Sequence, residues 1–411
     1  MKKAVSVLRQ GTITTPKGFL ANGVYCGIKR SRRPDLAILY STVPAAASGA
    51  FTTNRFCASP VTVTRQHLKR GLAQALIVNS GNANCANGRE GDRDALEMTR
   101  LAGQWLCIKR TSVLVASTGI IGRKLPIDRI RGALPDLVLG MGSDKGKTFA
   151  RTILTTDTTV KECCVRIKLG SASATIAGAC KGAGMIHPQL AIGGHATMLC
   201  FLTTDASITK KMLDRALSEA IERSFNMISV DGDMSTNDTV LILANGLARN
   251  GTIARDGADF SAFKEGLNHV TGELARKIVL DGEGATKFVT IIVRGASSAR
   301  DARTIARHVT TSMLLKACLY GEDPNWGRVI AACGSAGVAF DPRKVDVYFA
   351  GTKVFSNGAR MKTLPWQSLR RIFEKDSVRI TIDLHSGAHE ATAWTCDLSR
   401  EYVDINAAYS T

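Results

Sequence analysis

The residues of this chain best placed to do chemistry lie between positions 181 and 206. Lys181-Gly182-Ala183-Gly184-Met185 and His187-Pro188 open the stretch. Gly193-Gly194-His195-Ala196-Thr197-Met198-Leu199 follows, and Thr203-Thr204-Asp205-Ala206 closes it. A glycine-rich, proline-containing segment meets a short apolar run that reads as a buried strand, so Ala196-Thr197 falls where a loop enters core. A threonine hydroxyl with only water beside it is a poor nucleophile, and most threonines in such runs serve strand propensity or packing. A cut before Thr197 changes this, because it frees an α-amino group with a pKa near ~8 that is a base for the hydroxyl of the same residue. One residue then carries both nucleophile and base.

Other chemistries find weaker support. The eleven cysteines are odd in number and scattered without Cys-x-x-Cys spacing, so they read as reduced thiols rather than a disulfide framework or a zinc site. The seven histidines do not cluster with metal-ligand spacing; His385 and His389 are four apart, but Ser386-Gly387 between them argues against a helix presenting both. No metal is expected. Asp231-Gly232-Asp233 begins like a calcium loop, yet no glycine or glutamate falls where the twelve-residue loop needs it. The net charge of +19 is spread along the chain, and its densest group, Lys29-Arg30 with Arg32-Arg33, is short and lacks interleaved aromatics. That points to solvated surface and no nucleic-acid partner, while remaining compatible with anionic substrates.

At 411 residues and 45% hydrophobic content the chain can bury a sizeable core in two or three lobes. No apolar run reaches ~18 residues, and the one after Lys2-Lys3 is too short for a secretory signal, so no membrane association and a cytosolic location are expected.

The elements that must position the chemistry can be taken in order. Gly11 to Lys29 reads as a turn into a short strand, and Leu36–Leu39 and Pro60–Thr64 as further short strands, the latter with Val-Thr alternation. Ala75–Val78 reads as a buried strand ending in a turn at Asn79–Asn84. Asp94–Cys107 has Ala95, Met98, Leu101, Ala102 and Trp105 on one helical face. Ser112–Ala116 is a strand running into Ser117-Thr118-Gly119, where a glycine lets the backbone turn its N–H groups toward a ligand. Thr155-Thr156-Asp157-Thr158 is a hydroxyl-rich turn before the strands Cys163–Ile167 and Ala174–Ala177. Ser207–Ile221 is an amphipathic helix and Val240–Leu243 a strand. Glu283, between Gly282 and Gly284, is a carboxylate on a loop, and Lys181 reads as its complement, a point charge on a glycine-rich loop able to meet a carboxylate. A helix over Asp301–Ala317 and strands at Val345–Phe349 and Val378–Leu384 complete the last third.

Lys181 to Met185, Pro188, Ala196 to Leu199 and Thr203 to Ala206 together resemble the self-cleavage region of the glutamate N-acetyltransferases, or ornithine acetyltransferases, of arginine biosynthesis. Similar blocks occur at Thr14–Phe19, Gly49–Asn54, Gly321–Arg328 and Asp404–Thr411, so the resemblance covers essentially the whole chain. One departure lies beside the bond itself. Nine residues, His187 to His195, stand where the family has four, and aligning Gln189-Leu190-Ala191 with the family's Asn-Met-Ala would put Ile192 at the nucleophile position. Ile192 cannot do the chemistry, which leaves Thr197.

The resemblance implies an αββα sandwich like that of N-terminal nucleophile hydrolases, with a smaller α/β C-terminal lobe. Residues 1–206 would form the sandwich core, 207–284 would complete the core and site, and 285–411 would form the smaller lobe. Cleavage between Ala196 and Thr197 would give fragments 1–196 and 197–411. The resemblance assigns Thr118 and Gly119 to the oxyanion hole, and Thr155, Lys181, Thr197, Glu283, Asn406 and Thr411 to substrate. It implies acetyl transfer from N2-acetylornithine to glutamate with no cofactor, acetyl-CoA as an optional co-substrate, and an assembly of two copies of each fragment. An N-terminal-threonine amidohydrolase or aminopeptidase, and an uncleaved inactive homologue, are the competing readings.

Overall fold

The computed structural model describes residues 5–192 and 198–408. Its longest strand, Leu36–Phe51, organises the first two thirds of the molecule. In its first half Leu36 and Ile38 face one hydrophobic cluster and Ala37 and Leu39 another, the two-residue period of a strand buried on both sides. Between Tyr40 and Ala45 its register against Leu72–Asn82 shifts, and Pro44 lies in that gap, where a proline removes a ladder donor and an irregularity bends the strand. Residues 36–41 therefore pair with Phe19–Val24, whereas residues 46–51 pair with Thr239–Ala244. One bent strand serves two leaves of a ten-stranded sheet.

Side-chain alternation shows how the leaves are stacked. Leu39, Leu76, Val78, Leu114 and Ala116 from one leaf meet Leu199, Phe201, Leu241 and Leu243 from the other in a shared interior, with Phe149 and Phe201 edge to face at 5.8 Å. The intervening residues face outward. Cys200, Leu202, Val240 and Ile242 are covered by Leu213 and Leu217 of the helix Lys210–Glu222 and by Leu267, Val270 and Leu274 of the helix Ala258–Leu280. Leu36, Ile38, Ile77, Val113 and Val115 are covered by Ala95, Met98 and Leu101 of Gly88–Trp105 and by Ile130 and Leu134 of Ile127–Leu139. The layers run helix, sheet, sheet, helix, as the resemblance implies.

A second, seven-stranded sheet has its own core, formed with the helices Ala299–Thr310, Met313–Tyr320, Trp326–Gly334 and Trp366–Phe373. Its edge strand, Ile228–Ser229, comes from earlier in the chain and pairs with His389–Cys396. Among the described residues no helix is long and apolar enough to cross a membrane.

Several local expectations are corrected. Pro60–Thr64 lies in a helix, Ser59–Leu68, despite its Val-Thr alternation. Pro60 suits a helix start, and Val61, Thr64 and Leu68 recur at helical spacing on a buried face. The Thr64 hydroxyl donates to Val115 O at 2.6 Å and accepts from Val115 N at 2.8 Å, and His67 Nδ1 lies 2.7 Å from Val113 O. The helix thus satisfies the outer edge of the terminal strand Val113–Ile120, and tertiary demand overrides strand propensity. The helix drawn over Asp301–Ala317 is two helices, ending at Thr310 and restarting at Met313, because the Ser312 hydroxyl accepts Leu315 N–H and caps a new start. The strand of Ala75–Val78 continues through Asn79–Asn82 rather than turning there, Trp105 is 44% exposed rather than on the buried helical face, and Lys181 ends a strand rather than sitting on a loop.

Candidate active site

The geometry brings six of the residues singled out from the sequence to one cavity of about 110 Å³: Thr118, Gly119, Thr155, Lys181, Glu283 and Asn406. They arrive from five separate places. Thr118 and Gly119 lie near the end of the strand Val113–Ile120, Thr155 in a loop, Lys181 at the end of Ala172–Lys181, Glu283 just after the helix Ala258–Leu280, and Asn406 on the helix Arg400–Ala408. Ala196, Thr197 and Thr411 fall outside the described residues. The chain resumes at Met198, and Leu199 lines the cavity.

Gly119 is required by close approach. Its φ is +131°, and an added Cβ would lie 2.5 Å from Asn82 N and 2.6 Å from Gly81 Cα. Backbone atoms cannot swing aside as a side chain can. Gly119→Ala is therefore expected to lower stability by about 2 kcal/mol or more, read as a fall in denaturant midpoint with unchanged slope. The strand end is further fixed by Asn237, whose amide donates to Ser117 O at 2.8 Å and Ala83 O at 2.6 Å. Asn237 also lines the cavity.

Glu283 is held from two sides. Its backbone N–H donates to Ala183 O at 3.0 Å, and Asn406 Nδ2 donates to its Oε2 at 3.0 Å. A Cβ on Gly184 would fall 2.5 Å from the Glu283 carboxyl carbon, so the bare glycine backbone makes room for this carboxylate. Lys181 is 7% exposed, and its Nζ donates to Thr118 Oγ1 at 3.4 Å.

Beneath the cavity lies a buried ionic network that the sequence reading missed. Asp157 accepts from Thr155 N at 3.0 Å, Gly182 N at 2.7 Å and Lys161 Nζ at 2.7 Å, tying the Thr155 loop to the chain just after Lys181. Lys161 also pairs with Asp281, which accepts from the Thr158 backbone and hydroxyl. Burial pushes the Asp157 carboxyl up, but Lys181, Lys161 and the Gly182 amide outweigh it and hold it at about 2. A carboxyl held below its ordinary 3.8 contributes stability above that value, and the contribution disappears as pH falls from about 4 through about 2. Acid titration of the fold in the Asp157→Asn variant should accordingly be flatter over that window than in the parent. Lys161→Met leaves two buried carboxylates without their cation and is expected to cost about 3–5 kcal/mol, measured by urea unfolding. The sequence signal was present in the pairing of Asp157 with a lysine four residues on, but Thr155–Thr158 resembles an ordinary capping turn.

Two acidic residues in the block Ser229–Asp238 have other uses. Asp231 accepts N–H groups from Met185 at 2.5 Å, Ile186 at 2.8 Å and Asp233 at 3.2 Å, locking the glycine-rich segment in place. Asp238 is fully buried, and neither carboxyl oxygen has a hydrogen-bond partner among the described residues. Burial, with Asp231 adding to it and Lys181 opposing, raises its pKa well above the ordinary value.

Comparison with known proteins gives the family. The model of the ArgJ family matches residues 20–411. The arginine biosynthesis bifunctional protein ArgJ of Dehalococcoides mccartyi is 46% identical over 413 residues, covering 100% of both chains. That of Symbiobacterium thermophilum is 46% identical over 403 residues, covering 98% of this chain and 99% of the relative. A solved chain of Mycobacterium tuberculosis ornithine acetyltransferase complexed with ornithine is 35% identical, covering 46% of this chain and 100% of its own, with a TM-score of 0.43. With a family match spanning nearly all its length and full-length relatives this similar, the chain belongs to the ArgJ family.

Proposed function

We propose that this protein moves an acetyl group from N2-acetylornithine to glutamate through an acetyl ester on Thr197, with acetyl-CoA as a second donor to glutamate. The observation that carries this reading is the single cavity lined by Thr118, Gly119, Thr155, Lys181, Glu283 and Asn406, with Leu199 of the strand just beyond Thr197 in its wall. Family membership supports it, since the curated relatives are bifunctional proteins of arginine biosynthesis.

In the precursor the Thr197 hydroxyl attacks the Ala196 carbonyl carbon, the peptide nitrogen leaves as an amine, and water hydrolyses the resulting ester. Fragments 1–196 and 197–411 result. The freed α-amine of Thr197 then accepts the proton of its own hydroxyl as the oxygen attacks the acetyl carbonyl of acetylornithine. The negative oxygen of the tetrahedral adduct faces the Thr118 hydroxyl and the Gly119 amide, and ornithine departs after taking the proton. Glutamate's amine attacks the ester in the reverse sense, regenerating Thr197. Glu283 suits the side-chain ammonium of ornithine, and Lys181 suits a substrate carboxylate. Thr155, Asn406 and Thr411 complete substrate binding, no cofactor is required, the fragments assemble as two copies of each, and the site of action is the cytosol.

Incubating purified protein with acetylornithine, with and without glutamate, tests the reading. Release of ornithine should depend on glutamate and match N-acetylglutamate formed. Equal ornithine release without glutamate would instead identify an amidohydrolase.

A further inference from the structure

A second cavity, of about 440 Å³, lies where the helix Ala299–Thr310 meets the segment His187–Leu190. Its chemistry is unlike that of the first. Arg300, Arg303 and Arg307 stand at i, i+3 and i+7 on one face of the helix and all line it, while Ala302, Ile305, Ala306 and Val309 on the opposite face fill the core of the second sheet.

The positive charge there is poorly compensated. Arg307 donates through Nη1 to Pro188 O at 2.9 Å and to Asn226 O, and its Nη2 lies 3.0 Å from His187 Nε2. These partners are neutral, and burial, only partly offset by Glu222, lowers the Arg307 guanidinium to about 10. Arg303 has one carboxylate, Glu222, at 3.6 Å, and Glu222 is shared with Asn226 Nδ2 at 2.8 Å. Arg300 has no hydrogen-bond or ion-pair partner among the described residues. Burial, then Arg307, holds His187 down at about 4, so its ring is neutral at pH 7. A guanidinium only donates, so His187 Nε2 is the acceptor and Nδ1 carries the proton. That Nδ1 is buried without a partner among the described residues. Three guanidiniums thus line a cavity that holds one carboxylate, beside a buried imidazole N–H that has no partner among the described residues, an imbalance of charge that a doubly charged anion would correct.

We propose that this cavity binds the phosphate group of a small molecule, with Arg300 and Arg303 as docking groups and Arg307 as the fixed charge behind them. Its volume of about 440 Å³ leaves room for an organic group beside the phosphate. It also adjoins the catalytic cavity. Met185 lines that cavity and His187 this one, and α-carbons two residues apart lie within about 7.6 Å. Likewise Thr53 lines this cavity and donates to Met234 Sδ at 3.4 Å, next to Ser235 in the wall of the other. The phosphate end of acetyl-CoA and free inorganic phosphate share the required chemistry. The acetyl-CoA source rests on the two-donor reading above, whereas phosphate recognition does not.

Calorimetric titration of the whole protein with inorganic phosphate, CoA and glutamate, compared with Arg300→Gln/Arg303→Gln, tests the inference without turnover. Arg300 is exposed and Arg303 half-buried, and a thermal melt checks that the double variant is folded. Arg300→Gln alone provides a milder second variant. Phosphate binding should weaken at least about tenfold in the double variant. A parallel loss for CoA identifies the donor as the source, and an unchanged CoA affinity identifies free phosphate. Phosphate affinity that is equal in parent and double variant, or a loss of glutamate affinity in the double variant as large as the loss for phosphate, overturns the proposal.

Discussion

Thr197→Ala should yield a single uncut chain of 43.9 kDa with acetyl transfer reduced by at least about 10⁴-fold. The substitution removes the hydroxyl that would start the proposed acyl shift and would also carry the acetyl group, so two losses coincide in one residue. Intact-mass spectrometry reports the first and a glutamate-dependent assay the second. In the parent, brief exposure to acetylornithine should add one acetyl mass to the fragment beginning at Thr197. Because His187–His195 is longer than the family pattern, Ile192 is the position that a rigid alignment would favour. Cleavage mapped at 191/192, or an uncut alanine variant with parental activity, would defeat the assignment.

The second large effect is expected at Thr118. Thr118→Val keeps the shape of a residue that is 8% exposed and removes the hydroxyl that the proposed oxyanion would meet. The expected outcome is a fall in kcat of about 10²–10³, equivalent to roughly 3–4 kcal/mol, with a smaller change in KM. The hydroxyl also accepts from Lys181 Nζ at 3.4 Å, so a modest rise in KM through a less fixed lysine is part of the prediction. A kcat within twofold of the parent would remove Thr118 from the chemistry.

What could be read from the sequence follows from how local each signal is. Leu199–Thr204 and Thr239–Ala244 are apolar runs buried on both faces, and runs of that kind declare themselves without knowledge of their neighbours. Thr118-Gly119 and Glu283 were singled out through the family resemblance of their blocks, since glycine at a strand end or beside a carboxylate is by itself the mark of an ordinary turn. By contrast, Ser59–Leu68 adopts its helix to satisfy an edge strand some fifty residues away, and no short window contains that demand. The Asp157-Lys161-Asp281 network joins positions 120 residues apart, and its members look like ordinary surface charges until the fold buries them. The basic cavity was hidden for the same reason. Its three arginines recur at intervals of three and four residues along a helix whose neighbour, His187–Leu190, is distant in sequence.

The proposed cut would fall between two strands that lie side by side in the sheet. Ala172–Lys181 pairs with Leu199–Thr204 through six residue pairs, and Leu36–Phe51 pairs with Thr239–Ala244 through six more. Both seams join residues before 197 to residues after it, and the shared interior draws side chains from each side. Scission would thus produce halves that are interleaved rather than hinged, each exposing raw sheet edges and half a core if parted. Co-purification through high salt, separation only under denaturant, and failure of either half expressed alone to stay in solution would follow, while simultaneous expression of both halves would be the one route to complementation.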